Sequence, residues 1–266
     1  MNKAVIEFTR SRVFRKTLRG LRLHRVSNWW LEHFPRKRVL PGSGVVYRAR
    51  RTEGVSLAFE ILEGGNDYDP SVLPAGYTTF ADLGCNVGFF SCWLAHNAAG
   101  RKLKGIMIDA NPGVVAESRW HAEANQWRDV HVLHGLVGIP DKNGSAAFYV
   151  HEANTLSTAH TSELDFHKIG KHETIQVPVI NVGEEWRRRM NNSRCNVLKL
   201  DIEGCELDFL KAETEFMKLV DALYIEWHKN SVTFDDVNAV LISQGFKLGK
   251  IISEIGLNGM AFYTRS

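Results

Sequence analysis

The chain has 266 residues, 44% hydrophobic and 24% charged, the composition of an ordinary globular protein. No apolar run approaches the roughly 18–20 residues of a membrane-spanning helix, and the N-terminus has no signal-type apolar core. The four cysteines, Cys85, Cys92, Cys195 and Cys205, form no C-x-x-C pair. That disfavours a disulfide framework or a zinc site and favours a reducing cytoplasm. The net charge of +3 is unevenly spread. Residues 1–51 hold 14 Lys/Arg against 2 Asp/Glu, whereas residues 52–266 hold 19 against 28. A basic arm on a mildly acidic body points to an anionic contact, such as a membrane surface.

In chain order, Ile6 to Trp30 has the pattern of a basic helix, with Trp29, Trp30 and Phe34 at its end. Such a helix either lies in a bilayer interface or packs its apolar face on the body and leaves its arginines in water. Nucleic acid is the less favoured partner, because no reading motif accompanies the charge. Val45–Tyr47 and the alternating stretch Val55–Leu62 predict a hairpin or small sheet before the main fold. Residues 64–70 form a turn-rich loop.

The stretch Phe80–Phe90 organises the remainder. It predicts a buried strand, a tight turn and a helix start. Gly84 and Gly88 leave backbone open to a ligand, with Asp82 beneath the turn and Asn86 where a dinucleotide fingerprint has its second glycine. The strand Lys104–Asp109 ends in an acid 25 residues after Gly84, the offset at which a βαβ unit reaches ribose hydroxyls. Asn111 and Pro112 open the next helix, through Trp127. Strand Val130–Leu133 then brings His134 to the same rim, either near a base or as a plain loop histidine.

Ala146–Val150 and Thr174–Val182 have strand character. The polar run 154–162 between them reads as a lid or substrate loop. Gly183–Asn191 predicts a polar helix. Asn196–Asp201 is a buried strand that turns through Ile202–Glu206 into a helix, and Ala222–His228 is a strand ending in Glu226 and His228. A helix from Phe234 to Gln244 and a closing antiparallel pair, 246–252 and 260–263, complete about seven strands.

These motifs resemble the FkbM family of class I S-adenosylmethionine-dependent methyltransferases. The matches are D-L-G-x-N-x-G at Asp82–Gly88, an acid followed by x-x-Pro at Asp109–Pro112, and K-x-D-x-E-G-x-E at Lys199, Asp201, Glu203, Gly204 and Glu206, with Glu226-Trp227-His228 ending the next strand. The resemblance spans roughly residues 60–264. It implies a doubly wound, Rossmann-like α/β domain, a seven-stranded sheet with helices on both faces. The basic extension is placed at 1–40 and the methyltransferase domain at 41–266, made of a strand-rich lead-in at 41–75 and a core at 76–266.

The resemblance also implies methyl transfer from S-adenosylmethionine to a hydroxyl of a sugar, glycoconjugate or secondary metabolite. The enzyme would be cytoplasmic, with a peripheral membrane position as an option. Asp82, Gly84, Asn86, Gly88, Asp109, Asn111 and His134 would form the cofactor side, and Asp201, Glu203, Glu226 and His228 the catalytic rim. A neutral His228 is the best-matched base near pH 7. Asp201, Glu226 and His228 offer ligands that suit magnesium, but no metal is expected from the sequence. The competing readings are a non-catalytic cofactor-binding partner, an RNA methyltransferase and a dinucleotide oxidoreductase.

Overall fold

A computed structural model describes residues 23–64, 68–138, 144–151, 172–229, 231–255 and 258–265. Its centre is β3 (Thr79–Leu83), whose last four residues are fully or almost fully buried. On one side it pairs in parallel with β4 (Lys104–Asp109), which pairs with β5 (Val130–His134). On the other side it pairs with β8 (Cys195–Leu200), which pairs with β9 (Val220–His228). The antiparallel strands β11 (Asn258–Arg265) and β10 (Phe246–Ile255) close the sheet, in the order β10-β11-β9-β8-β3-β4-β5. Chain direction away from β3 therefore reverses between β4 and β8. The crevice beyond the C-terminal ends of β3, β4 and β8 is where such a sheet binds ligands.

The period of two along each strand builds a core on each face. Ala81, Leu83, Ile106, Ile108, Leu198, Leu200, Leu223 and Ile225 join one buried cluster. Its helices are α5 (Val182–Met190), α6 (Glu206–Ala212), α7 (Thr214–Met217) and α8 (Phe234–Ser243), which contribute Trp186, Phe209, Phe216 and Leu241. The alternate residues Phe80, Met107, Val197 and Tyr224 join the second cluster with Phe90 and Trp93 of α3 (Phe89–Asn97). α4 (Pro112–Ala124) packs on β4 and β5. Asp82 and Lys199 belong to this second face and are register partners. Two charged side chains thus lie inside an otherwise apolar layer.

The lead-in differs from the sequence expectation. β2 (Val46–Ala49) pairs with β1 (Arg36–Val39), but residues 52–62 form a helix, α2 (Thr52–Leu62), not a second strand of a hairpin. Val55, Ala58, Ile61 and Leu62 recur at helical spacing and pack against Phe89 and Cys92 of α3. A short apolar run satisfies both periods, and packing against a neighbouring helix selects the helical one. The first described helix, α1 (Leu23–His33), leaves Trp29, Trp30 and Phe34 exposed. The rest of the predicted basic helix lies outside the described residues, as does the predicted loop at 154–162. Its flanking strands β6 (Ser145–His151) and β7 (His172–Pro178) form a separate antiparallel pair, joined to the core by the Leu136–Val179 bridge. No described helix is long and apolar enough to cross a membrane.

Gly84 shows how tightly the switch point is closed. Its φ is +72°, and a Cβ there would stand 1.6 Å from the Asp201 carbonyl oxygen. Gly76 has nearly the same φ, +71°, and open space around it. Gly76→Ala should therefore cost only the backbone strain, about 1 kcal/mol. Gly84→Ala must also push two strand ends apart and should cost at least about 3 kcal/mol. Urea unfolding of the two variants separates the cases. Equal losses would show that conformational strain, not the contact with Asp201, explains Gly84.

Candidate active site

The turn after β3 is fastened to the end of β4 before any ligand is considered. The backbone N–H groups of Gly84 and Cys85 both donate to the Ile108 carbonyl, each at 3.0 Å. The Asn86 N–H donates to Asp109 Oδ2 and the Asn111 N–H to Asp109 Oδ1, each at 2.8 Å. Asn86 adopts a left-handed φ of +47°, and its carbonyl accepts from Ser118 Oγ at 2.7 Å. Burial pushes the Asp109 carboxyl up to about 6, against the lowering effect of those two N–H groups. It remains ionised at neutral pH. Each oxygen keeps a free lone pair for a hydroxyl donor.

Gly88 caps α3 at φ +83°, where a Cβ would meet Met107 Cε at 2.7 Å. Neither glycine of the turn is therefore small solely for a ligand, since each is pressed by its own chain. Asn111 caps α4 by accepting from the Gly113 N–H at 2.9 Å. His134 ends β5, with Nε2 3.0 Å from the Ala110 carbonyl. It braces the rim beside the cleft.

The other half of the site comes from β8 and β9. Lys199 donates to the Gly84 carbonyl at 2.8 Å and to Asp201 Oδ2 at 3.0 Å, with Asp82 Oδ1 at 3.8 Å. Asp82 has no exposed surface and accepts from Ser91 Oγ at 2.7 Å. It supports the turn from below through Ser91 and Lys199. Burial opposes the Lys199 charge, but Asp201, Tyr68 and Asp82 together outweigh it and keep the ammonium protonated. Burial raises Asp82, with Lys199 and Ser91 pulling the other way.

Glu203 follows at φ +53° and Gly204 at +96°, a sharp reversal. It lets Glu206 Oε1 accept from the Ile202 and Gly204 N–H groups at 3.2 and 3.1 Å. The same oxygen takes His228 Nδ1 at 2.9 Å. Nε2 of His228 points the other way, 3.3 Å from Glu203 Oε2 and 4.0 Å from Asp201 Oδ1.

This geometry corrects the expectation of a neutral His228 base. Burial alone would lower its pKa, but the Glu206 hydrogen bond and the carboxylates of Glu203 and Asp201 together push it up to about 10. At neutral pH the ring holds a proton among the carboxylates and has no capacity to accept another. Burial, reinforced by Asp201, pushes Glu226 up to about 7. Burial also pushes Glu203 up to about 8, with His228 opposing and the neighbouring carboxylates adding. Glu226 Oε1 accepts from Asn258 Nδ2 at 2.7 Å.

The two halves share one cleft, with an empty volume of about 610 Å³ that includes open solvent. Gly84, Asn86, Asp109, Asp201 and Glu203 line it, with Phe148 of β6 on its apolar wall. Glu206, Lys199 and Phe148 were not singled out as site residues from the sequence. The first two stand inside the K-x-D-x-E-G-x-E motif, so the signal was present. Phe148 carries no local signal, because only the tertiary fold brings β6 to the cleft.

A parallel sheet of this strand order, closed by an antiparallel β11 and carrying a glycine turn at its switch point, defines a class I methyltransferase fold. The family model "Methyltransferase FkbM domain" matches residues 82–248. The chain belongs to the FkbM methyltransferase family and is an S-adenosylmethionine-dependent methyltransferase. No curated protein matches it.

Among solved structures it is similar to the Methanococcus jannaschii fibrillarin pre-rRNA processing protein, with 13% identity, 87% of this chain and 88% of that one covered, and a TM-score of 0.47. It is also similar to M. jannaschii TYW2 in complex with AdoMet, with 11% identity, 86% and 87% covered, and a TM-score of 0.42. A third is a SAM dependent methyltransferase from Aquifex aeolicus, with 14% identity, 79% and 93% covered, and a TM-score of 0.40.

The buried ion pair gives a direct test. Lys199→Met removes the cation shared by Asp201 and the buried Asp82, and should cost at least about 3 kcal/mol at pH 7. Native Asp82 binds a proton more readily than the unfolded chain does, so the deficit should shrink as the pH falls towards about 4. Urea midpoints of wild type and variant at pH 7 and pH 5 measure both effects. A deficit that stays constant with pH would remove Asp82 from the explanation.

Proposed function

We propose that this methyltransferase acts on a hydroxyl oxygen of a sugar, glycoconjugate or other secondary metabolite. The observation that carries the reading is that Asp201 and Glu203 line the same cleft as Gly84, Asn86 and Asp109. An acidic rim and a nucleoside-type cradle thus face one space.

The residues fit S-adenosylmethionine. Asp109 presents a carboxylate held by two backbone N–H groups, with lone pairs left for the ribose hydroxyls. The positive-φ turn at Gly84 and Asn86 offers backbone to the amino-acid end, and Phe148 provides apolar surface. When bound, the cofactor supplies a methyl group already activated on a sulfonium.

What remains for the chain is to align the acceptor and help its hydroxyl lose a proton. Asp201 is well placed for this. One oxygen is fixed by Lys199, so the other is presented in a defined direction towards His228 and the cleft. An acidic rim suits a hydroxylated acceptor, because carboxylates accept hydrogen bonds from sugar hydroxyls.

Calorimetry and turnover test this in sequence. The purified chain should bind S-adenosylmethionine and not NAD, and Asp109→Ala should weaken that binding at least about tenfold, the scale of a lost charged hydrogen bond. Formation of S-adenosylhomocysteine should then depend on a hydroxylated acceptor. Asp201→Asn should lower kcat about 100-fold or more while leaving cofactor affinity within about twofold. Turnover with RNA but with no sugar or small hydroxylated acceptor would refute the assignment.

A further inference from the structure

At the acceptor side of the cleft, three ligand-type atoms converge. One atom each of Asp201, Glu203 and His228 lies within 4.8 Å of the other two. His228 Nε2 is 3.3 Å from Glu203 Oε2 and 4.0 Å from Asp201 Oδ1. A divalent cation about 2.1 Å from each donor spans separations up to roughly 4.2 Å, so the two histidine distances already fit. The remaining separation closes with a shift of less than about 1 Å.

Several features distinguish this cluster from a chance group of surface acids. His228 is buried, and its other nitrogen is engaged by Glu206, a fully buried carboxylate that two backbone N–H groups also hold. That contact fixes Nδ1 as the protonated nitrogen and turns Nε2 towards Glu203 and Asp201, both of which line the cleft. A carboxylate behind the imidazole is the usual outer partner of a metal-bound histidine. The second oxygen of Asp201 is taken by Lys199, so Asp201 offers a single oriented oxygen. Glu203 is the more exposed ligand, with 39% of its side chain accessible, which leaves a side open to substrate.

We propose that Asp201, Glu203 and His228 form a divalent-cation site, with Glu206 as its positioning residue. One imidazole and two carboxylates suit Mn²⁺ or Zn²⁺ better than Mg²⁺ or Ca²⁺, which prefer oxygen alone. The cation takes the place between ring and carboxylates that a proton holds otherwise. Its open face accepts the acceptor's hydroxyl oxygen and lowers the pKa of that hydroxyl. With the cation in place Asp201 assists the deprotonation by holding the metal and does not take the proton itself, which the hydroxyl gives to solvent. The hydroxyl oxygen forms the new C–O bond as the C–S bond of the sulfonium breaks, and the cofactor leaves as a neutral thioether. This role in catalysis rests on the proposed reading of the rim as the acceptor side, whereas the cation site itself does not.

The test uses the full chain, stripped with EDTA and titrated with MnCl₂ and separately with ZnCl₂, by calorimetry and by Mn²⁺ electron paramagnetic resonance. One site per chain at micromolar affinity is expected. Glu203→Gln, at an accessible position, and His228→Ala should each weaken binding at least tenfold, and Glu206→Gln by 10–100-fold. Thermal melts check that each variant is folded. If His228→Ala does not fold, Glu203→Gln and Asp201→Asn decide the matter. No binding at millimolar metal, or binding unchanged in the folded ligand variants, overturns the site. Full turnover in EDTA overturns its part in catalysis. Cation binding without transfer to any hydroxyl would count against the proposed function and leave the site standing.

Discussion

The structure depends on one buried cation. Lys199 stands on β8 at the switch point, almost without exposed surface, and reaches across to the Gly84 carbonyl while pairing with Asp201 and Asp82. Removing an ammonium and a carboxylate from water costs several kcal/mol per ion. A single pair at about 4 Å returns about 4 kcal/mol at the effective dielectric of such sites. One partner would not offset that cost, and three acceptors around one ammonium can. The arrangement is therefore all-or-none. It exists only if β3 and β8 lie in the register that sets Asp82 beside Lys199, and once it exists that register is fixed.

Everything at the rim inherits its position from that register. The turn at Gly84 is pulled towards β8 by its own carbonyl and is small enough to reach the Asp201 backbone. Asp201 is oriented because one oxygen is already engaged. Beyond it, Glu203 and Gly204 reverse the chain so that Glu206 points back at His228, which links β8 to β9. Four carboxylates (Asp201, Glu203, Glu206 and Glu226) are thereby gathered near two cations, Lys199 and His228. Burial, reinforced by mutual repulsion, raises Glu203 and Glu226 above the usual carboxylate range, and the surrounding carboxylates keep His228 charged against its own burial.

The fold was legible because the information was local and repeated. Apolar strands alternating with helical segments around Asp82, Asp109 and Asp201 give a doubly wound sheet, and the two final strands read as its closing pair. Val55–Leu62 misled because its apolar residues at 55, 57, 59 and 61 alternate like a strand while those at 55, 58, 61 and 62 fit a helix, and only α3 decides between them. The candidate site was legible as strand-end positions around one crevice, but not as a set of contacts and charge states. The sequence places His228 at a strand end. It does not say that Glu206, three residues beyond Glu203, folds back to hold its ring. Phe148 was invisible for a related reason, since nothing near it in the chain announces that β6 borders the cleft.

The glycines show why a motif so often serves folding and function together. Gly84 and Gly88 look like openings for a ligand, and the turn does line the cleft, yet a side chain at either would first strike the protein itself. In the same way, Lys199 and Glu206 do not themselves line the cleft, yet one holds Asp201 and the other holds His228. A residue that reaches a ligand only through another is constrained by packing as much as a core leucine, and its replacement disturbs both register and chemistry. K-x-D-x-E-G-x-E is thus best understood as a folding unit. Its first and last charged members are buried struts, and its middle members, Asp201 and Glu203, are the groups that line the cleft.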